Sequence, residues 1–210
     1  GRMSTISYGE YRGVSVSLKQ YALPDQTRMW HQESAASREA AALAAIRCEN
    51  VVRFFGTCAA EEVFTVVTEL CLGNDLFRLI HIENYQFSAP QQLKACSDIA
   101  GAGRYLHGLE PQIMHRGLSS KNVLLAHRVA AGHDRVLMKV SDFGTARMKE
   151  RGLANWPALT RNVGECYWRA PEAHTGSYDE KIDVYAYGMV MYEILFSQVP
   201  FENMESESVR

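Results

Sequence analysis

The stretches HRGLSSKN, residues 115–122, and SDFG, residues 141–144, decide the fold of this chain. Short apolar runs lie beside them: VLL at 123–125 follows the first stretch, and VLMKV at 136–140 precedes the second. Two strands formed by these runs would place the asparagine that ends the first stretch near the aspartate of the second. An amide oxygen and a carboxylate held together there could bind Mg²⁺, which prefers hard oxygen ligands.

The two stretches resemble the active-site motifs of protein kinases. HRGLSSKN is similar to the catalytic loop, H-R-D-L-x-x-x-N, and SDFG is similar to the metal-binding motif of that family. The resemblance implies that Asn122 and Asp142 hold Mg²⁺ and belong to the catalytic apparatus. It also shows one departure, because Gly117 occupies the position of the catalytic aspartate and leaves the base position vacated.

The first part of the chain alternates in the manner of two strands, the second of which ends at Lys19. It resembles the kinase glycine-rich loop and the strand that follows. Gly1 then corresponds to the second loop glycine, Ser4 replaces the third, Ile6 roofs the adenine, and Ser17 replaces an alanine beside it. The resemblance implies that all five residues belong to the ATP site, whereas the stretch by itself is more typical of an ordinary hairpin.

Residues 34–47 are rich in alanine and predict a helix that contains Glu39. Its apolar face is expected to hold four residues: Ala40, Leu43, Ala44 and Ile46. The next segment, 48–56, resembles a kinase segment whose asparagine follows the helix glutamate by eleven residues, and Asn50 has this spacing from Glu39. The resemblance implies a Lys19–Glu39 ion pair that positions the α- and β-phosphates. By itself, Glu39 is an ordinary solvated helix residue.

A strand predicted at 62–68 leads into ELCLGNDL, residues 69–76, which resembles the kinase hinge. The implied contacts to ATP on this side are Thr68 at the gatekeeper position, the backbones of Glu69 and Cys71, and Leu124.

Two long helices are predicted in the second half of the chain. One covers 90–109, with Leu93 on its apolar face, and the other covers 182–196, which is apolar nearly all round and is therefore expected to be buried. Asp183 lies in DVYAYG, which resembles the family motif whose aspartate anchors the catalytic-loop backbone. His107 is expected to be a polar packing residue, and residues 126–134 to form a surface loop.

The segment between SDFG and GECYWRAPE, residues 164–172, has mixed polarity and resembles the kinase activation segment. Thr160 lies where the tyrosine-kinase-like group often carries a regulatory phosphate, and a phosphate there would pair with Arg116. An unmodified loop threonine is an equally good interpretation of this residue.

Three departures from the family fall in one catalytic cluster. Gly117, Ser119 and Glu165 stand where tyrosine-kinase-like Ser/Thr kinases have aspartate, lysine and threonine. In the family these groups orient the substrate hydroxyl, contact the γ-phosphate and connect the neighbouring loop to both. The joint loss of these three groups favours the interpretation that the chain has lost its catalytic function. In an alternative arrangement, Glu165 lends its carboxylate to the space beside Gly117.

Composition narrows the possible partners. The 210 residues carry 24 acidic and 22 basic side chains, a net charge of −2, and no basic tract, so nucleic acid is not an expected partner. Five cysteines lack a C-x-x-C spacing, which favours reduced thiols and a cytoplasmic location. No apolar run reaches the length of a membrane span, so we expect no membrane segment within the chain.

The resemblance implies an α+β, bilobal kinase-like fold. Residues 1–72 would form a small strand-rich N-lobe with the hinge and 73–210 a helical C-lobe, truncated at both ends. It also implies binding of ATP, with Mg²⁺, and of a protein substrate or a partner kinase. The favoured hypothesis is a pseudokinase that acts as scaffold or allosteric regulator. The alternatives are an active Ser/Thr or dual-specificity kinase, and a decayed sequence without a stable domain.

Overall fold

A four-stranded antiparallel sheet forms the first part of the protein. The computed structural model describes residues 4–22, 35–60, 63–129, 135–149, 152–153, 155–156 and 159–202. The strands are β1 (Ser4–Tyr11), β2 (Val14–Ala22), β3 (Phe54–Ala60) and β4 (Val63–Glu69), in the spatial order β1-β2-β4-β3. The two strands predicted at the start of the chain are therefore confirmed, as is the strand before the hinge.

The turn between β1 and β2 sets the register of the sheet. Arg12 and Gly13 both have positive φ angles, of 52° and 78°, a backbone that suits tight antiparallel hairpins and that glycine adopts without steric cost. In the resulting register, Lys19 of β2 lies between Ile6 of β1 and Val66 of β4. Lys19 is thereby placed in the middle of the sheet and not at its edge.

Helix α1 (Ala35–Ala45) packs on this sheet. Its buried residues are Ala36, Glu39, Ala42 and Leu43, which recur at helical spacing. The predicted apolar face is wrong at Ala44, which is exposed because it lies about 100° around the helix from Leu43.

The segment after α1 is hydrogen-bonded to the second half of the chain. The Arg47 N–H donates to the Tyr105 hydroxyl at 3.0 Å. Val52 N–H donates to the Val140 carbonyl at 3.0 Å, and Val140 N–H donates to the Asn50 carbonyl at 2.8 Å. The C-terminal end of α1 is thus fixed to the strand that leads into SDFG.

Two long helices dominate the second part: α2 (Ala89–His107) and α3 (Lys181–Phe196). Both were predicted, but their burial differs from expectation. Leu93 is 74% exposed, because α2 turns its other face to the core. Helix α3 is not buried all round: its inner face includes Val190, whereas Phe196 on another face is 61% exposed.

Four short strands hold the two decisive stretches. Strand β5 (Ile113–Met114) pairs with β8 (Arg147–Met148), and β6 (Val123–Leu125) pairs with β7 (Met138–Val140). Residues 115–122 run between β5 and β6, and residues 141–146 run between β7 and β8, so the two small sheets bring them side by side. The predicted hairpin of 123–125 with the strand before SDFG is confirmed.

One continuous core joins the sheet to the helices. Its largest fully buried side chains include Leu43 of α1, Leu76, Ile99 of α2 and Phe143. The α+β class is confirmed, with a strand-rich first part and a second part built mainly on helices. Of the predicted surface loop at 126–134, residues 130–134 lie outside the described residues, and His127 is exposed.

Candidate active site

An ion triad lies where the sheet, α1 and the SDFG turn meet. Lys19 Nζ lies 3.0 Å from Glu39 Oε2 and 2.8 Å from Asp142 Oδ1. The predicted Lys19–Glu39 pair is confirmed, and the structure adds Asp142 to it. Glu39 is 3% exposed, so the interpretation of this residue as a solvated helix glutamate is wrong.

The Lys19 ammonium interacts favourably with both carboxylates of the triad. Burial alone would lower the pKa of Lys19, but the carboxylates of Glu39 and Asp142 outweigh it, and the pKa is raised. Burial would likewise raise the pKa of Asp142, yet the Lys19 ammonium lowers it below its ordinary value. Lys19 and Asp142 are therefore ionised at neutral pH and can interact with phosphate oxygens and a cation.

The SDFG turn is fixed by packing on its buried side. Asp142 adopts a left-handed backbone with φ of 63°, and its Oδ1 accepts the Gly144 N–H at 3.3 Å. Phe143 is fully buried and contacts His115 edge to face, with ring centroids 4.7 Å apart. His115 Nε2 in turn donates to the Ser141 carbonyl at 3.0 Å.

Asp183 of α3 anchors the loop that begins at residue 115. Its two carboxylate oxygens accept the backbone N–H groups of His115 and Arg116, both at 2.8 Å. His107 Nε2 lies 2.9 Å from the same carboxylate. The predicted anchor and the predicted packing role of His107 are both confirmed.

Thr145 takes the space that a side chain at position 117 would occupy. A Cβ built there would lie 2.7 Å from Thr145 Oγ1, closer than real Cβ atoms approach. The Thr145 hydroxyl donates to the His115 carbonyl at 3.1 Å, which holds it in that place. The φ angle of Gly117 lies outside the left-handed range, so the obstacle to a side chain is Thr145 and not the backbone.

Asn122 and Asp142 flank this loop on the hairpin. Asn122 Nδ2 donates to the Gly117 carbonyl at 2.7 Å, and the Asn122 carbonyl accepts the Ser141 N–H at 2.8 Å. The bonds that the described residues make to Asp142 both use Oδ1, so Oδ2 and the Asn122 amide oxygen are available as hard ligands.

This donor set fits Mg²⁺ bound together with a nucleotide. Among the described residues, no group of three or more His, Cys, Asp or Glu side chains could hold a metal alone. Mg²⁺ commonly uses one or two protein carboxylates and takes its other ligands from water and substrate phosphates. One carboxylate and one amide oxygen beside a lysine match that pattern.

The structure also shows the surroundings of the other two departures from the family pattern, Ser119 and Glu165. Ser119 is fully buried and its hydroxyl has no partner among the described residues, so it presents no charge to a nucleotide. Glu165 Oε2 pairs with Lys121 Nζ at 3.2 Å, and a Cβ built at Gly164 would lie 3.0 Å from the Arg116 carbonyl oxygen. The arrangement in which Glu165 lends its carboxylate beside Gly117 is not the one observed, because that carboxylate is paired with Lys121 and Thr145 Oγ1 lies in the space.

Two of the expected adenine contacts lie side by side in the sheet. Ser17 is paired with Thr68 across β2 and β4, and Ile6 is 66% exposed on β1. Burial raises the pKa of the Cys71 thiol to about 12, so it stays protonated. Leu124 is half-buried on β6, and the Glu69 side chain is held by Lys139 at 2.8 Å. Ser4 begins β1, and Gly1 lies outside the described residues.

Arg116 lies beside the predicted phosphosite. Its Nη2 donates to the Thr160 carbonyl at 3.5 Å, and the Thr160 side chain is exposed. Arg116 is 5% exposed, and its Nε and Nη1 have no partner among the described residues. Burial, together with the nearby Arg147 and Arg38, lowers its pKa. The site thus holds a buried cation with unused donors.

Two residues of the site were not predicted. Tyr21 donates its hydroxyl to Glu39 Oε2, and Thr145 closes the space beside Gly117. A signal for Tyr21 was present in the sequence, because it lies two residues after Lys19 and therefore on the same face of the strand. For Thr145 there was no such signal.

Comparison with known proteins gives a consistent result. The model of the family described as protein tyrosine and serine/threonine kinase matches residues 1–210. The chain is 34% identical over 98% of its length to the dual specificity protein kinase splA of Dictyostelium discoideum. It is 32% identical over 97% of its length to the serine/threonine-protein kinase STY46 of Arabidopsis thaliana.

The similarity covers only part of these relatives. The chain spans 9% of the length of splA, 34% of STY46 and 19% of the probable serine/threonine-protein kinase SIS8 of Arabidopsis thaliana, to which it is 30% identical. Within the described part of the chain, none of the helices has both the length and the apolar character needed to cross a membrane.

Proposed function

The chain belongs to the family of protein tyrosine and serine/threonine kinases, and we propose that it is a pseudokinase that binds ATP and regulates phosphorylation signalling as a scaffold or allosteric partner. One observation carries the proposal. The ion triad of Lys19, Glu39 and Asp142 is assembled, while position 117 has no side chain and Thr145 fills the adjoining space. The site is thus equipped to hold a nucleotide and lacks the group that would receive the substrate proton.

Binding of ATP is supported by charge and position. Proteins of this family use ATP and Mg²⁺. In this chain Lys19 would contact the phosphates, and Asp142 and Asn122 would hold Mg²⁺. The side chains of Ile6, Ser17 and Leu124 would surround the adenine. The bound ion would offset the negative charge of the phosphates. The hinge backbone at Glu69 and Cys71, beside Thr68, would supply the polar contacts to the base.

Weak or absent transfer is supported by the catalytic cluster. General-base catalysis contributes roughly 10²–10⁴ in rate, or about 3–5.5 kcal/mol of barrier. Gly117 supplies no base, Ser119 is buried, and the Glu165 carboxylate is engaged by Lys121. Each of the three groups that would act on the substrate hydroxyl or the γ-phosphate is therefore missing or directed elsewhere.

An active Ser/Thr or dual-specificity kinase is the second candidate. It is favoured by the assembled triad and by the relatives, whose names describe serine/threonine and dual-specificity kinases. Phosphoryl transfer depends mainly on positioning and electrostatics, so a site without its base retains part of the catalysis. Its protein substrate, or the partner kinase of a pseudokinase, would be met in the cytoplasm, the location expected from the cysteine pattern.

We also propose Thr160 as a regulatory phosphosite. A phosphate adds about −1.5 to −2 charge and three acceptor oxygens. Arg116 has a buried guanidinium with unused donors next to the Thr160 backbone, and such a cation gains most from an anion that replaces its lost hydration. A phosphothreonine would therefore order the activation segment against the 115–122 loop.

A thermal-shift titration tests the proposed function. A ligand at 100 times its dissociation constant stabilises a protein by about 2.7 kcal/mol, so ATP with Mg²⁺ should raise the melting temperature of the chain. Lys19→Met should abolish the shift, and Lys181→Met, at an exposed lysine of α3, should preserve it. No shift in the wild-type protein would contradict ATP binding, and the absence of a cooperative melt would favour a decayed sequence.

A transfer assay separates the two candidates. Wild-type protein with MgATP and a generic protein substrate should show no transfer above that of Asp142→Asn. Transfer that disappears in Asp142→Asn would overturn the pseudokinase proposal and establish the active kinase.

A further inference from the structure

A second residue that binds Glu39 lies beside Lys19 on β2. Tyr21 follows two residues later, so both side chains leave the same face of the strand and point to α1. Tyr21 is 7% exposed and its hydroxyl donates to Glu39 Oε2. Lys19 Nζ lies 5.4 Å from the centroid of the Tyr21 ring. Glu39 is thus held by one cation and one neutral donor from the same strand.

The two donors to Glu39 differ in what else they contact. Lys19 is shared, because its ammonium also lies 2.8 Å from Asp142. The Tyr21 hydroxyl donates to Glu39 alone among the described residues. Burial and the Glu39 charge raise the pKa of Tyr21, so the hydroxyl stays protonated and remains a donor.

Binding of a nucleoside triphosphate would change the balance between these donors. Its phosphates would give Lys19 a third anionic partner, so the ammonium would be shared among Glu39, Asp142 and the phosphates. A buried carboxylate that shares its cation is costly unless other donors also satisfy it. The hydroxyl of Tyr21 is neutral, so phosphates do not compete for it, and it keeps Glu39 bonded.

Tyr21 also lies beside the turn that carries Asp142. A Cβ built at Gly144 would lie 3.5 Å from the Tyr21 hydroxyl oxygen, and Arg38 of α1 donates to the Gly144 carbonyl at 3.1 Å. The hydroxyl is therefore at the junction of β2, α1 and the SDFG turn, where a shift of Glu39 would move the elements that hold both Lys19 and Asp142.

We propose that Tyr21 is a positioning residue for the nucleotide phosphates: its hydroxyl holds Glu39, and with it α1, while the Lys19 ammonium is shared with the triphosphate. This role rests on the ATP binding proposed above. It makes Tyr21 act on phosphate binding through Glu39, and it assigns Tyr21 no contact with the adenosine part of the ligand.

The test compares a ligand that has phosphates with one that has none. Dissociation constants of MgATP and of adenosine are measured for the wild-type chain, Tyr21→Phe and Tyr192→Phe. Tyr21→Phe should weaken the binding of MgATP by about 2- to 13-fold, the effect of one net hydrogen bond on an equilibrium, and leave the binding of adenosine unchanged. Tyr192→Phe removes a comparable phenolic bond, to Gln198 on the far side of α3, and should change neither.

A second background makes the assignment to Glu39 specific. In Glu39→Ala there is no carboxylate to hold, so adding Tyr21→Phe should cause no further loss of MgATP affinity. If Tyr21→Phe alone fails to fold, Glu39→Ala and Glu39→Ala/Tyr21→Phe can still be compared, because the double variant has no buried unpaired carboxylate at this position.

The outcomes are distinct. Wild-type chain that binds no MgATP would contradict the proposed function itself. MgATP binding that is unchanged in Tyr21→Phe, or an equal loss of MgATP and adenosine, would overturn the positioning role and leave ATP binding intact. An equal effect of Tyr21→Phe in the presence and absence of the Glu39 carboxylate would show that the hydroxyl acts by another route.

Discussion

Restoring an aspartate at position 117 should restore phosphoryl transfer only in part, because Thr145 obstructs the new side chain. A Cβ at Gly117 would lie 2.7 Å from Thr145 Oγ1, and ordinary contacts begin near 3.4 Å. Thr145 must therefore retreat by roughly 0.7 Å, the difference between these distances. That movement weakens its hydrogen bond to the His115 carbonyl, now 3.1 Å long.

General energies of the contacts involved give the expected magnitudes. A net hydrogen bond contributes about 0.5–1.5 kcal/mol, so the arrangement in which Thr145 gives up this bond to the new side chain is less populated by a factor of about 2–13, and the rate falls with that population. A positioned general base contributes about 10²–10⁴. The double variant Gly117→Asp/Thr145→Ala should therefore exceed the wild-type rate by about 10²–10⁴, and Gly117→Asp alone should reach a rate about 2–13 times lower than the double variant.

The assay is transfer of labelled γ-phosphate to a generic protein substrate at saturating MgATP, with a melting curve for each variant. Gly117→Asn has nearly the same shape as the aspartate and cannot act as a base, so it should stay at the wild-type rate. Thr145→Ala alone should also stay there. Equal rates for Gly117→Asp with and without Thr145→Ala would refute the obstruction, and transfer by Gly117→Asn would refute the role of the base.

Three further predictions concern the supports of the site. Asp183→Ala leaves the buried N–H groups of His115 and Arg116 without their acceptor, so the free energy of unfolding measured in urea should fall by at least about 2 kcal/mol. A loss below about 0.5 kcal/mol would contradict the role of Asp183 as an anchor. Phe143→Ala removes a fully buried ring and should cost about 3–5 kcal/mol in the same assay, with a smaller loss expected only if the turn is not packed as described. Glu193 of α3 is fully buried and accepts hydrogen bonds from Ser120 of the 115–122 loop and from Trp168. Burial raises the pKa of Glu193 above its ordinary 4.5, so the folded state binds its proton more tightly than the unfolded state, and stability falls as pH rises from 4.5 through the raised pKa. The melting temperature of Glu193→Gln relative to wild type should therefore increase across that window, and a constant difference would contradict the shift.

Local patterns were sufficient for the elements that carry the site. The apolar runs on either side of the 126–134 segment predicted the hairpin. The resemblance to protein kinases, supported by the spacing of Glu39 from Asn50, implied the pairing of Glu39 with Lys19. The hairpin could be predicted because it depends on short-range periodicity. The ion pair could be predicted because only one arrangement of the chain satisfies the order of the motifs. The placement of Asn122 near Asp142 followed from the hairpin, and the fold class followed from the resemblance to protein kinases.

The contacts that decide the chemistry were harder to predict. Helix α3 is apolar on nearly all sides, so its sequence has no periodicity that would tell which face meets the core, and Phe196 was placed wrongly. Thr145 and Gly117 are 28 positions apart in an irregular region, where no repeat indicates which side chains meet. Ser119 lies in the same kind of backbone, and its burial follows from the surrounding packing alone.

The hydrogen bonds that fix residues 50–52 to β7 make α1 a short lever with its fulcrum at the C-terminal end. Glu39 lies six residues before Ala45, about 9 Å from the fulcrum at 1.5 Å per residue. A rotation of about 15° would displace Glu39 by roughly 2.3 Å over that arm, enough to separate it from Lys19, now 3.0 Å away. A small rotation of α1 can therefore disassemble the triad, and because Arg38 of the same helix holds the Gly144 carbonyl, the rotation also pulls on the turn that carries Asp142.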